Sequence, residues 1–463
     1  MAEPVEVDVA VVGAGVVGCA IARELAGTTL SVALVEARAD VGDGTSKANT
    51  AILHTGFDAR PGTLESRLVA RGYALLGQYA EQTGIAVERT GALLVAWSDE
   101  ELAALPGLQA KARANGYDAC ALVGPDEVYA VVPDLGPGAL GGLTVPGESV
   151  ICTWSTTLAL ATDAVRRGAA LLRGHRVVGV EPADHDGTLL ATSQGQVRAR
   201  WVVNAAGLGA DHLDRMFGHD RFTVTPRRGE LFVFDKLARP RVPLIVLPVP
   251  SSVGKGVLVS PTIYGNVMLG PTAEDLTDRT DTGTSEEGLA SLLEKGARIM
   301  PALLQEEVTA TYAGLRAAID SDDYLVEVDP HRRYALVGGI RSTGLTAAMA
   351  IAEHLRGLLA GAGLDLADRP DLPPPPRMPD LGEVGPRPYQ QPERIAADPA
   401  YGEMVCFCER VTAGEVRDAL ASTVPPADLD GLRRRTRVLN GRCQGFFCGA
   451  RVRALLAVSR GRS

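Results

Sequence analysis

Apolar positions along the chain switch repeatedly between short runs and helical spacing, the signature of strands alternating with helices. Val7 to Val12 reads as a buried strand. GAGVVG follows, and Val17, Ala20, Ile21 and Leu25 then share one helix face before a second apolar strand, Ser31 to Val35, ends at Glu36. Trp201 to Ala205 reads as a further strand that runs into the Gly207-Leu208-Gly209 turn. Asp186-Gly187 and the alternation after it predict a hairpin, and Phe222 to Phe234, Leu244 to Leu247 and Gly256 to Leu269 predict strands of a second sheet. Arg369 to Pro392, with four consecutive prolines from Pro373 to Pro376, excludes a regular helix or central strand and predicts an extended connector. No internal repeat is evident.

The first of these units carries chemistry. Gly13 permits a tight turn, Gly15 lets a pyrophosphate approach the backbone, and Gly18 allows the helix to pack closely on the strand. The helix amino terminus then faces phosphate, and Glu36 can accept from a ribose hydroxyl. Strand, triplet, helix, strand and acid in that order make a dinucleotide fingerprint, which does not by itself separate FAD from NAD.

Composition narrows the classes. At 463 residues, 46% hydrophobic and 22% charged, the chain suits two or three globular domains rather than a disordered segment. Its 46 basic against 56 acidic side chains give a net charge of -10, which disfavours nucleic acid as a partner. The longest apolar run, Val9 to Ala22, is broken by glycines and too short to span a bilayer, and no secretory leader pattern is seen. A cytoplasmic location is expected, with peripheral attachment to the inner face of the membrane as an option. Cys19, Cys120 and Cys152 stand apart in apolar or mixed contexts and are expected to be buried thiols.

The other four of the seven cysteines lie within one short segment: Cys406 and Cys408 in CFCERVT, then Cys443 and Cys448 in GRCQGFFC. Four thiolates in two close pairs suit an iron–sulfur cluster or a tetrahedral zinc, although zinc pairs are more often separated by two residues than by one. Thr412 and Glu415 form a capping-box pattern before Val416, Ala419 and Leu420, and Val452, Leu455 and Leu456 mark another helix after Cys448. Each cysteine pair would thus precede a helix whose amino-terminal amides can donate to sulfur. The spacing, with Glu409, Val411, Gly441, Gln444 and Gly445, resembles the BFD-like [2Fe-2S] domain. The run Arg433, Arg434, Arg435 and Arg437 reads as a solvated face, or as a surface for an acidic redox partner.

Five further blocks settle the choice of dinucleotide by resemblance. They are Thr45 to Gly72, Thr225 to Asp235, Gly254 to Asp275, Tyr312 to Asp320 and Gly338 to Glu353. In this order they resemble the FAD-dependent glycerol-3-phosphate dehydrogenase/oxidase and L-2-hydroxyglutarate oxidase group, within the D-amino-acid-oxidase-like flavoproteins. Departures fall at Ala317 and Thr343 and around Thr153, where relatives often carry proline. The resemblance implies a Rossmann-like FAD-binding domain, discontinuous in sequence, with an inserted α+β substrate domain over 1–368. A proline-rich linker over 369–400 and a small helical BFD-like module over 401–463 complete the expected α/β architecture.

The same resemblance implies the site. His54 is the expected base for a substrate hydroxyl, since alcohol oxidation by a flavin needs a proton acceptor while hydride leaves toward the ring. Arg316 is the expected anion clamp because a guanidinium holds phosphate or carboxylate in two-pronged geometry, with Lys255 adding a point charge. Arg341 and Ser342 are placed nearby, and Arg228 is a weaker pocket candidate. Gly207, Gly338, Gly339, Gly344 and Thr346 are expected to bring backbone to the flavin, although glycines there also suit a strand-to-helix turn. The expected activity is oxidation of sn-glycerol 3-phosphate, an anionic alcohol, with electrons passing through the [2Fe-2S] cluster to a quinone or protein acceptor, if need be in a hetero-oligomer. A 2-hydroxy acid such as L-2-hydroxyglutarate, an amine substrate, and a non-catalytic electron-transfer subunit are the alternatives.

Overall fold

The computed structural model describes residues 3–183, 187–250 and 256–460. The Val5–Val12 strand lies between Val32–Glu36 and Gly195–Asn204, parallel to both. Val9, Ala10 and Val11 are fully buried, as a strand covered on both faces requires. Tyr334–Gly338 joins the same eight-stranded sheet beside Gly195–Asn204. The nucleotide-binding half is therefore assembled from separated stretches of chain. Val177–Ala183 pairs antiparallel with Gly187–Thr192, so the predicted hairpin forms, although Asp186 lies outside the described residues.

Close packing explains the glycine triplet. Gly13 has φ +108, and a Cβ there would meet the Ala205 carbonyl oxygen at 2.4 Å; a Cβ on Gly18 would meet the Gly13 oxygen at 1.8 Å. The helix Val16–Leu25 can sit on its strand only because both positions lack side chains.

The second sheet has nine strands. Its Thr225–Phe234 strand runs antiparallel to Val308–Ala318 along nearly its whole length, and the apolar stretch Gly256 to Leu269 forms two strands, Leu258–Pro261 and Val267–Gly270. A small third sheet pairs Ile52–Leu53 and Val87–Glu88 with Ser149–Ile151.

The cysteine-rich end forms its own core of Val405, Val411, Val416, Leu432, Val438 and Val452, with helices Ala413–Leu420, Leu429–Thr436 and Gly449–Arg460 around it. The capping box forms: Thr412 Oγ1 accepts the Glu415 N–H at 3.3 Å, and Glu415 Oε2 accepts the Thr412 N–H at 2.9 Å. The connector is extended, as its prolines dictate, and Met378 and Leu381 anchor it against the larger body. Contacts with the cysteine module begin before residue 401, since Arg387 is buried against Glu415 at 2.9 Å.

The arginine run corrects the expectation of a solvated or partner-facing surface. Arg434, Arg435 and Arg437 are buried. Arg435 forks onto Asp40 at 2.5 and 2.9 Å, and Arg434 reaches Asp40 at 3.2 Å and Asp43 at 2.9 Å, tying the module to the nucleotide-binding half. Arg437 bonds Glu409 at 2.8 and 3.0 Å and lies 4.0 Å from the centroid of the Tyr264 ring. Of the run, Arg433 remains partly exposed and bonds Asn440. Among the described residues no helix is long and apolar enough to cross a membrane.

Candidate active site

Residues of both large sheets line one cleft of about 1450 Å³. That exceeds the roughly 300–1,000 Å³ of ordinary small-ligand pockets and leaves room for a dinucleotide together with a substrate. At the dinucleotide end stand Gly13, Gly15, Gly18, Glu36 and Gly207. Glu36 Oε2 accepts the Ala14 N–H and Oε1 the Arg38 N–H, each at 2.7 Å, which leaves carboxylate lone pairs for a ribose hydroxyl. No side chain of Gly15 caps the helix, so its first turn is open to an anion except where Ser46 Oγ takes the Val16 N–H. These features fit FAD.

At the other end the cleft is lined by His54, Arg316, Arg341, Ser342 and Gly344. His54 follows the Ile52–Leu53 strand, and its backbone N–H donates to Thr346 Oγ1 at 3.0 Å. Its Nδ1 lies 3.0 Å from Glu148 Oε2, and Nε2 has no protein partner among the described residues. Glu148, 1% exposed, had no signal in the sequence beyond being an acid before a strand.

Arg316 is mostly enclosed. Its nearest polar contact is the Thr272 carbonyl oxygen at 3.4 Å, and no carboxylate pairs with it among the described residues. Burial, with the neighbouring Arg227 charge, pulls its guanidinium below the usual arginine range. Gly229 makes the space: a Cβ there would meet Arg316 Nη2 at 2.7 Å. Arg227, opposite Arg316 in the strand register, is already committed to Asp275 at 2.6 and 2.9 Å. Arg341 lines the cleft but donates to the Asp322 carbonyl at 2.7 Å and lies 3.6 Å from Glu65.

Other expected residues stand elsewhere. Lys255 lies outside the described residues. Arg228 is bonded to Glu274 at 2.6 Å and Asp281 at 3.3 Å and lies outside the cleft lining, so its charge is spent structurally. Gly338, Gly339 and Thr346 are also outside the lining. Gly339, at φ +67, serves the turn from strand to helix, and Thr346 holds the His54 backbone. Thr343 bonds Glu65 and Tyr324, each at 2.6 Å, and Thr153 bonds Asn49 and Ser46, so hydroxyls fasten two of the positions where proline was expected.

The cysteine site forms as two thiol pairs, Cys406 with Cys448 and Cys408 with Cys443. No group of three or more His, Cys, Asp or Glu able to hold a single metal ion is found among the described residues. Four thiols in two close pairs are the donor set that a [2Fe-2S] cluster would take. Backbone N–H groups of Phe447, Gly445 and Phe446 face Cys443 and pull its thiol below the usual range, whereas burial pushes Cys406 up to about 12. These donors belong to the cysteine loop rather than to a helix amino terminus. Cys19, Cys120 and Cys152 are free and buried, as expected.

Comparison with known proteins bears directly on this arrangement. The FAD dependent oxidoreductase family matches residues 8–358. The chain belongs to that family. A BFD-like [2Fe-2S] binding domain matches residues 404–458. Glycerol 3-phosphate dehydrogenase of Caloramator mitchellensis is 35% identical over 97% of this chain and 94% of its own. Glycerol 3-phosphate oxidase of Mycoplasma pneumoniae is 31% identical over 76% of this chain and 94% of its own. Among solved structures, the dithionite-reduced L-alpha-glycerophosphate oxidase of Mycoplasma pneumoniae with FAD bound is similar at a TM-score of 0.76 and 28% identity, covering 81% of this chain and 99% of that one. The protein is a flavin-dependent oxidoreductase with an attached iron–sulfur module, in a mixed α/β fold.

Proposed function

We propose that the chain oxidises sn-glycerol 3-phosphate to dihydroxyacetone phosphate. The observation that carries this reading is Arg316, a partly buried guanidinium with no carboxylate partner among the described residues, in the same cleft as a histidine whose Nε2 has no protein partner among them. A buried cation is costly unless an anion completes it, and a phosphate offers two oxygens to its fork. Among the described residues nine Arg and Lys line the cleft against five Asp and Glu, so a chain of net charge -10 presents a cationic pocket to an anionic alcohol.

FAD, when bound, supplies the hydride acceptor. His54 Nε2 takes the hydroxyl proton as the carbon–hydrogen bond breaks. Arg316 holds the phosphate and so fixes the distance of the alcohol from His54, with Lys255 proposed as a second cation and Ser342 as a hydroxyl at the cleft wall. Cys406, Cys408, Cys443 and Cys448 would hold the [2Fe-2S] cluster, and electrons would leave by it to a quinone or a protein acceptor.

The extent of similarity favours dehydrogenase over oxidase. The dehydrogenase relative aligns through the cysteine module, whereas the oxidase relative spends 94% of its length on 76% of this chain. The test is anaerobic absorbance of protein reconstituted with FAD, iron and sulfide. Bleaching of the flavin band by sn-glycerol 3-phosphate alone is the expected result. Bleaching by L-2-hydroxyglutarate alone would make Arg316 a carboxylate clamp, and bleaching by neither would bring forward amine substrates or a non-catalytic electron-transfer subunit.

A further inference from the structure

We infer that Glu148 sets which nitrogen of His54 carries the proton, a positioning role that rests on the reading of His54 as proton acceptor. The sheet register creates the pair. Ile52 lies opposite Val150 and Leu53 opposite Ser149, so the next antiparallel step brings His54 to Glu148. The turn that carries Glu148 is pressed against the histidine segment: a Cβ on Gly147 would meet Thr55 Cγ2 at 2.8 Å and the Tyr117 hydroxyl at 2.7 Å. Tyr73 donates to the Gly147 carbonyl at 2.8 Å, and the Gly147 N–H donates to Tyr117 at 2.6 Å, fixing the turn from both sides.

Both oxygens of the buried carboxylate have a fixed task. Oε1 accepts the Thr55 N–H at 2.6 Å and the Thr55 hydroxyl at 2.8 Å, while Oε2 faces His54 Nδ1 at 3.0 Å. A carboxylate only accepts, so Nδ1 carries the hydrogen and the neutral ring keeps its lone pair on Nε2. The His54 backbone is held separately by Thr346, so ring position and ring tautomer have different anchors. Glu148 touches neither substrate nor flavin in this scheme; it acts through His54.

Glu148→Gln keeps the shape and reverses the instruction. The Thr55 N–H is an obligate donor, so the glutamine carbonyl stays with Thr55 and its NH₂ turns to Nδ1, which must then accept, moving the ring proton to Nε2. Two measurements test this on the reconstituted full chain. Nitrogen NMR with the seven histidines labelled, His54 being assigned by its loss in His54→Gln, should show the Nδ1–H tautomer in the wild type and Nε2–H in Glu148→Gln. Anaerobic flavin bleaching by sn-glycerol 3-phosphate should slow at least ~100-fold in Glu148→Gln, the scale of a lost general base, while the half-saturating substrate concentration holds and Glu148→Asp recovers part of the rate. An Nε2–H tautomer in the wild type, or a Glu148→Gln rate close to that of the wild type, overturns the inference. Failure of the substrate to bleach the wild-type flavin would sink the proposed reaction instead, and the tautomer measurement would still decide the role of Glu148.

Discussion

Arg316 meets two demands that pull apart. Its guanidinium is held beside Arg227 with only the Thr272 carbonyl, at 3.4 Å, as a hydrogen-bond partner among the described residues, an arrangement that, on the proposed reading, costs stability without substrate and suits an anion. Arg316→Met should therefore raise the thermal midpoint of the FAD-loaded, substrate-free protein. The same change should abolish the upward shift that substrate gives the wild type, because a ligand stabilises only through the contacts it makes with the folded state. Melting curves with and without sn-glycerol 3-phosphate read both effects, and a lowered midpoint without substrate would show that the guanidinium has a structural counter-charge. Arg316 was legible in the sequence as a cation within a recognisable block, but its solitude was not. Glu148 was not legible at all, because its meeting with His54 depends on strand pairing across 94 residues.

Elements written in local periodicity were readable, and elements defined by what lies opposite were not. The strand, glycine turn and helix at Val5–Val12 and Val16–Leu25 follow from apolar spacing and from places where a Cβ has no room. The capping box at Thr412 is equally local. The helix Leu429–Thr436 misleads for the opposite reason: its arginines resemble a solvated face until Asp40, nearly 400 residues away, is brought against them. Asp40 is fully buried and faces Arg434, Arg435 and Arg173, and Gly431 is required beside it because a Cβ there would meet Asp40 Oδ2 at 2.3 Å. Asp40→Asn would leave these cations under-compensated, and the loss of a buried pair of this kind costs about 3–5 kcal/mol. The cysteine module should then detach more readily, seen as faster proteolysis within 369–391 with FAD absorbance retained. Unchanged cleavage would mean that the remaining contacts, such as Arg437 on Tyr264 and Arg442 on Asp235, are enough to hold it.

On the scale of the whole molecule, no gap parts the flavin body from the cysteine module, since the connector and the arginine helix pack both onto one body. That packing gives the cysteine site an inner and an outer side. Cys406 and Cys448 are each 1% exposed, whereas Cys408 and Cys443 are partly open, and Phe407, Phe446 and Phe447 beside them are 72%, 86% and 75% exposed. If electrons leave through this site, the two halves of turnover should separate when a ligand is removed. Cys443→Ser takes away an outer ligand while leaving the buried pair and the module core intact, so iron content and cluster absorbance should fall without unfolding. Anaerobic bleaching of the flavin by sn-glycerol 3-phosphate should keep its wild-type rate, because His54, Arg316 and the cleft are untouched. Multiple-turnover reduction of a water-soluble quinone analogue should slow markedly. Equal turnover in the variant would send electrons from the flavin straight to the acceptor and leave the cluster a structural part, whereas loss of bleaching would show that the module shapes the cleft itself.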